Sequence, residues 1–263
     1  MTDVELTSIQ TVDQTIQQEV HKNGLTIAPN RRWLFIAKTY ASVAFQLLVI
    51  FVTCISCYHS SSFRSKTDAE LTTFALIMFG VCMGCMILTF IATCAKMLYI
   101  GLVPFAGFTV CLGLMLSTAI IRYQANLIMH AFIITAIATV ACSVFVFYTR
   151  KDLTHWTSVL FYLTLLIIIA IPVFFIAPPN KPIEILFCVI GIVLFTGWLL
   201  VDTSMLIHQY SEDDWLIASM NITLDILNLF VRILQLMSYC CPEDGNTCCD
   251  GCDGCDGCDL DLD

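Results

Sequence analysis

Five polar side chains in the stretch SMNITLDILNLFVRILQLM, residues 219–237, are spaced for chemistry inside a membrane. Asn221, Asp225, Asn228, Arg232 and Gln235 follow one another at intervals of 4, 3, 4 and 3. At about 100° per residue, all five fall within an arc of roughly 80° on one helix face. A second acid, Asp202, interrupts the apolar run FTGWLLVDTSMLIHQ one segment earlier. The midpoint of 202 and 225 falls between Asp213 and Asp214, inside SEDDW, the polar connector between the two runs. An antiparallel hairpin turning there would set both carboxylates at one depth, roughly 10 to 15 Å from the turn.

An Asp near the bilayer centre costs about 2.5 to 3.5 kcal/mol on insertion scales, so two at one level imply a shielded, partly hydrated interior. Two close carboxylates in a low dielectric do not both ionise cheaply, and one proton is then shared near neutral pH. Such a pair can act as a proton-gated latch, and its hard oxygens are the ligand type that Ca²⁺ takes. The competing reading is structural, with the acids hydrogen-bonding neighbouring helices and Asn221 and Asn228 completing the network. Arg232 lies two turns beyond Asp225 on the same face and suits either an ion pair or a pore mouth. His130 reads as a helix-contact residue, while His155 and His208 sit at segment ends, where interfacial solvation accounts for them.

The elements that must carry these residues are membrane helices. Of the 263 residues, 58% are apolar and only 13% charged, and the mean hydropathy is +0.84. An ordinary soluble domain is nearer a quarter charged. Runs of about 20 apolar residues occupy residues Trp33 to Tyr58, Leu71 to Ala95, Leu98 to Ile121, Leu127 to Tyr148, Thr157 to Ala177, Ile183 to His208 and Trp215 to Met237. The expected class is an all-α integral membrane protein of seven helices. Short connectors, the longest being HSSSFRSKTDAE, make neighbouring helices antiparallel hairpins. Gly80 and Gly84 have the GxxxG spacing of a close-packing face.

Three parts follow: residues 1–32, a polar and disordered N-terminal segment; residues 33–239, the membrane domain; and residues 240–263, a Cys- and Asp-rich tail. The first part has no basic stretch leading into an apolar core and cleavage site, so no cleaved signal peptide is expected. The formal charge of −9 is concentrated in the tail, and the rest of the chain is nearly neutral, which argues against a nucleic-acid partner. With the N-terminus cytosolic, six Lys and Arg fall on inside segments and four outside, a weak bias for that orientation. Seven crossings would place the tail outside, and a re-entrant last segment would return it to the cytosol.

Eight of the fifteen cysteines lie in apolar runs, where a thiol behaves as a small hydrophobe. The other seven crowd into residues 240–258. Cys249, Cys252, Cys255 and Cys258 repeat a C-x2-C spacing able to chelate a soft metal. Cys240 and Cys241 stand at the membrane edge, where S-acylation would suit a cytosolic tail. The plain alternative is a flexible Cys-Asp-Gly repeat without selected function.

Several of these stretches resemble the Bax inhibitor motif family. EDDWLIASMNITLDILNLF, from Glu212, is similar to its last-helix signature through Leu224-Asp225-Ile226, Asn228, Leu229 and Phe230. LVDTSMLI resembles its Tyr-Asp-Thr-Gln segment, TRKDLT its Lys-x-Asp-Phe-Thr connector, and RRWLFIAKTYASVAFQLLVIFVT its first helix, including Tyr40, Gln46 and Thr53. The likeness spans about residues 31 to 239 in the expected order. Val201, Ser204 and Thr223 stand where the family has Tyr, Gln and Tyr. Cys111 and Gly113 lie where many members carry an acid, and Lys96 alone represents a basic residue at the end of the second helix. The resemblance implies seven helices with the last one central. It implies a pH-sensitive Ca²⁺ leak across internal membranes, of the endoplasmic reticulum or Golgi, with protection against cell death. Asp202 and Asp225 would then be the sensor and ion pathway. The short N-terminus and loops look closer to the lifeguard and Golgi anti-apoptotic branch.

No obligatory cofactor is implied; Ca²⁺ is the transported ion, and the partners are the lipid bilayer, Ca²⁺ and protons. Apoptotic regulators or Ca²⁺-release channels are the partners of an alternative, a non-conducting scaffold. An intramembrane aspartyl protease also uses two helix-borne acids. It needs Gly-x-Gly-Asp at the second acid and a later Pro-Ala-Leu; here NITLD stands at the acid and the only later proline is Pro242. No catalytic residue is therefore assigned, and an enzyme is not expected.

Overall fold

The computed structural model describes residues 29–149, 152–176, 180–211 and 214–240. Its long helices are α1 (Pro29–His59), α3 (Asp68–Cys94), α4 (Leu98–Ile120), α5 (Ala125–Thr149), α6 (Thr157–Ile176), α7 (Lys181–His208) and α8 (Trp215–Cys240). A one-turn helix, α2 (Ser61–Arg64), lies in the connector after α1, and a 3₁₀ turn, Thr154–Trp156, precedes α6. Among the described residues every regular element is helical, as expected. Six of the long helices, α6 excepted, are long and apolar enough to cross a membrane. The tail cysteines Cys241, Cys249, Cys252, Cys255 and Cys258 and residues 1–28 lie outside the described residues.

Lipid offers the backbone no hydrogen bonds, so each crossing segment must satisfy its own, and only a helix does this within one segment. The many threonines obey the same rule. Thr39, Thr53, Thr89, Thr93, Thr109, Thr135, Thr139, Thr164 and Thr196 each donate to the carbonyl four residues back, at 2.7 to 3.0 Å. Their hydroxyls are thereby spent locally, and an apolar bilayer tolerates them.

Helix ends are set by short-range chemistry. Before α3, the Glu70 carboxylate accepts from the Thr67 backbone N–H at 2.9 Å and its hydroxyl at 3.1 Å, satisfying donors left orphaned at a helix start. Before α8, Asp214 does the same for Ser211, at 3.2 and 2.7 Å. After α3, Lys96 takes a left-handed φ of 56°, with Met97 N–H donating to Ala92 O and Lys96 N–H to Thr93 O, both at 2.9 Å. That is the Schellman stop, in which glycine is usual.

Two compact units share the chain: Met1–Met115 with Asp202–Thr223, and Leu116–Val201 with Leu224–Asp263. In the first, α1 and α4 touch where Gly113 meets Thr53. A Cβ at Gly113 would fall 2.9 Å from Thr53 Cβ and 3.3 Å from Ile50 Cα, so only glycine admits this approach. In the second, Trp198 Nε1 of α7 donates to Thr164 Oγ1 of α6 at 2.9 Å.

The last helix contributes to both units and is the most buried. Its apolar stretch is 61% buried, against 44% for α4 and 28% or less for the other crossing candidates. Its 26 unbroken residues extend about 39 Å at 1.5 Å per residue, enough for a full crossing of a core about 30 Å thick. The possible close-packing face at Gly80 and Gly84 receives no other helix among the described residues, since a Cβ at either would have nothing within 4 Å.

Candidate functional site

Asp202 opens a run of three consecutive buried polar residues near the end of α7, in the first unit. Asp202 is 8% exposed, and Thr203 and Ser204 are 0% exposed. The flanking Leu199, Val201 and Leu206 are buried as well, so the carboxylate is set into an apolar helix six residues before its end. That end is held by α1. Arg32 Nη2 donates to Leu206 O at 3.4 Å and also to Ile207 O, capping carbonyls that no later helical N–H can reach. The His208 ring, at the same end, lies 3.0 Å through Nδ1 from Ser204 O.

A seam of polar rungs joins α1 to the first half of α8. Lys38 Nζ stands 4.1 Å over the Trp215 ring. One turn on, Ser42 Oγ donates to Ser219 Oγ at 3.4 Å, and Ser219 Oγ in turn donates to Leu216 O at 2.9 Å. A further turn on, the Thr223 hydroxyl donates to Gln46 Oε1. Each rung joins residues 177 apart in sequence, so the two helices run parallel and in register. Ser219, Thr223 and Gln46 are all 0% exposed. The remaining amide nitrogen of Gln46 and the Trp215 indole nitrogen are buried without an acceptor among the described residues.

The predicted stripe on α8 divides. Asn221, half-buried, donates through Nδ2 to Tyr210 Oη at 3.1 Å, which ties α8 back to the α7–α8 connector. Asp225 belongs to the second unit and is 8% exposed. It lies ten residues after the start of α8, about 15 Å along its axis. Neither Asp202 nor Asp225 is isolated from its surroundings. Asn228 is exposed, so it adds nothing to a buried network.

Arg232 and Gln235 form a second polar group, against α7. The Arg232 guanidinium stands 5.5 Å over the Phe187 ring and donates through Nη1 to Gln235 Oε1 at 3.1 Å. The same oxygen faces Cys188 Sγ at 3.9 Å. Gly191 makes room for the arginine stem, since a Cβ there would come 3.1 Å from Arg232 Cδ and 3.2 Å from its Nε. In the α4–α5 connector, burial pushes the Tyr123 phenol above its ordinary pKa, opposed by a hydrogen bond with Ser238.

Gln46, Ser42, Ser219 and Thr223 were not among the candidate site residues. Their signal is nonetheless in the sequence: Lys38, Ser42 and Gln46 recur every fourth residue in one apolar run, and Trp215, Ser219 and Thr223 in another. Phe187 and Gly191 carry no such mark, because their role is to receive a side chain from another helix. Among the described residues no three His, Cys, Asp or Glu gather as a metal centre. What the arrangement offers chemically is two carboxylates, each buried in an apolar helix, a group type able to hold a proton or offer oxygens to a cation.

Comparison with known proteins agrees with this architecture. Residues 32–239 match the family described as "Inhibitor of apoptosis-promoting Bax1". Over 140 residues the chain is 35% identical to Bax inhibitor 1 of Schizosaccharomyces pombe, covering 53% of this chain and about half, 52%, of that relative. It is 28% identical over 207 residues to the Golgi anti-apoptotic protein of vaccinia virus, covering 78% of this chain and 85% of the viral one. Protein lifeguard 4 of Mus musculus is 24% identical over 212 residues, with the same two coverages, 78% and 85%. The matched span holds every long helix described above except the first residues of α1 and the last of α8, and the chain is a multi-pass membrane protein belonging to the Bax inhibitor family.

Proposed function

We propose that this protein is a pH-sensitive Ca²⁺ leak channel of internal membranes, gated by the carboxylates of Asp202 and Asp225. Membership of the family supports the broader role, an anti-apoptotic membrane protein. The observation that carries the finer reading is the burial of both acids, each 8% exposed, in helices long and apolar enough to cross a membrane. Intramembrane acids are costly and are kept where protons or ions must pass.

The sequence register about Asp213 and Asp214 is what pairs them in this reading. With one proton shared, a hydrogen bond holds the two helices together. With both ionised, repulsion and hydration favour separation and leave oxygens open to Ca²⁺. An endoplasmic reticulum or Golgi location fits the Golgi anti-apoptotic relative. The alternative is a non-conducting scaffold for apoptotic regulators or Ca²⁺-release channels. Purified protein in liposomes loaded with a Ca²⁺ dye separates the two: flux that changes between about pH 6 and pH 8 is expected of a proton-shared pair. Absence of flux from correctly folded protein would leave the scaffold.

A further inference from the structure

Arg232 is anchored by the protein and yet has no counterion among the described residues. Of the five N–H donors of a guanidinium, only one is used, by Gln235 Oε1, and no carboxylate of the described residues lies within ion-pair distance. The side chain is nevertheless preset: its stem lies on Gly191 and its head over Phe187. It lies eight residues before the end of α8, about 12 Å in along the axis. At that depth, unfilled donors on a permanent cation are costly unless an anion reaches them.

Two neighbouring features say which anion. Glu184 precedes Phe187 by three residues on α7, a spacing that sets side chains about 5 to 6 Å apart on one face. The phenol of Tyr239 reaches its carboxylate. Glu184 thus shares the face of α7 that carries Phe187 and Gly191, one turn nearer the helix start than the residues on which Arg232 rests. Farther around α7 from that face, Leu186, Ile190 and Val193 are exposed to 58%, 44% and 68%, an apolar surface on which acyl chains can lie. We propose that Arg232 and Glu184 form a seat for a zwitterionic aminophospholipid, the phosphate on the guanidinium and the amine on the carboxylate. Basic pockets between membrane helices bind the phosphates of lipid headgroups, and arginine presents its donors in a fork that fits two phosphate oxygens. The carboxylate is what turns a general phosphate site into one for an amine-bearing headgroup, since it repels a purely anionic lipid.

The test is native mass spectrometry of the full chain in neutral detergent, titrated with phosphatidylethanolamine, phosphatidylglycerol or soluble phosphoethanolamine. The unaltered protein is expected to retain phosphatidylethanolamine in preference to phosphatidylglycerol, with little displacement by soluble phosphoethanolamine. Arg232→Gln should lower that retention at least about tenfold, the effect of losing one charge-assisted hydrogen bond. Gly191→Val keeps every charge but displaces the arginine stem, and should lower it too. Glu184→Gln should keep binding but abolish the preference between the two lipids. Equal retention by unaltered protein and both the Arg232 and Gly191 variants would overturn the seat. Equal affinity for both lipids in the unaltered protein would overturn the role of Glu184. Full displacement by soluble phosphoethanolamine would show a site for a free phosphate compound and overturn the lipid assignment.

Discussion

The Thr223 hydroxyl donates to Gln46 Oε1 across 177 residues of sequence, with neither side chain exposed. The contact pins α1 to α8 two residues before Asp225, and the partners depend on one another. Replacing one leaves the other buried with its hydrogen bond unmade, a cost of about 1 to 3 kcal/mol. Gln46→Leu or Thr223→Val alone should therefore lower thermal stability in detergent. The double variant should lose clearly less than the sum, because both polar groups go together. Strict additivity in the thermal shifts would show that the two residues act independently.

On the proposed gating, Asp225→Asn should abolish the pH response of Ca²⁺ flux near neutrality and weaken passage, since a carboxylate is lost while the shape is kept. Asp202→Asn should resemble it. The double variant should be little worse than either, as one coupled unit is removed each time. Dye-loaded liposomes report all three, and an unchanged pH response in both single variants would make the acids structural.

Lys96 ends α3 with φ at 56°, a conformation that costs a residue with a Cβ about 1 kcal/mol relative to glycine. Lys96→Gly should raise thermal stability by about that amount, whatever it does to flux. A stability loss would mean that the lysine side chain contributes more than its backbone costs.

Tyr123 ties the α4–α5 connector to Ser238, and burial holds its phenol above the ordinary value of 10.0. Below that value the phenol is neutral in both folded and unfolded chains. As pH rises through it the unfolded chain ionises first, so the folded state loses stability. Tyr123→Phe should flatten this alkaline loss in melting curves taken between about pH 9 and pH 11. An identical slope in both proteins would assign the alkaline loss to other groups.

The seven apolar runs gave the helices nearly residue for residue, because a segment of this length that is apolar all round has no other stable form in lipid. Four of the runs begin two to four residues inside their helices, those of α1, α3, α5 and α7. Hydropathy does not count Asp68 and Glu70, which open α3 through the chemistry of a helix start, nor Lys181 and Pro182, which open α7. Asp202 and Asp225 were visible as charges out of place, and both are buried. Asn228 shared their helical spacing yet is exposed, since a period of 3.6 identifies a face but not how much of it a neighbour covers. GxxxG at Gly80 failed for the same reason: spacing permits close packing, but a partner helix must come to it. Gly113 and Gly191, without any motif, are where helices actually close in.

The parallel register of α1 and α8 also has a consequence in time. A ribosome working at about 5 to 20 residues per second takes roughly 10 to 35 seconds to make the 177 residues that separate Gln46 from Thr223. Throughout that interval α1 carries Ser42 and Gln46 without the hydroxyls that later engage them. A nascent chain stalled before residue 215 is thus left with an amide and no Thr223 to meet it, and the first of the described helices to be made is among the last to be finished.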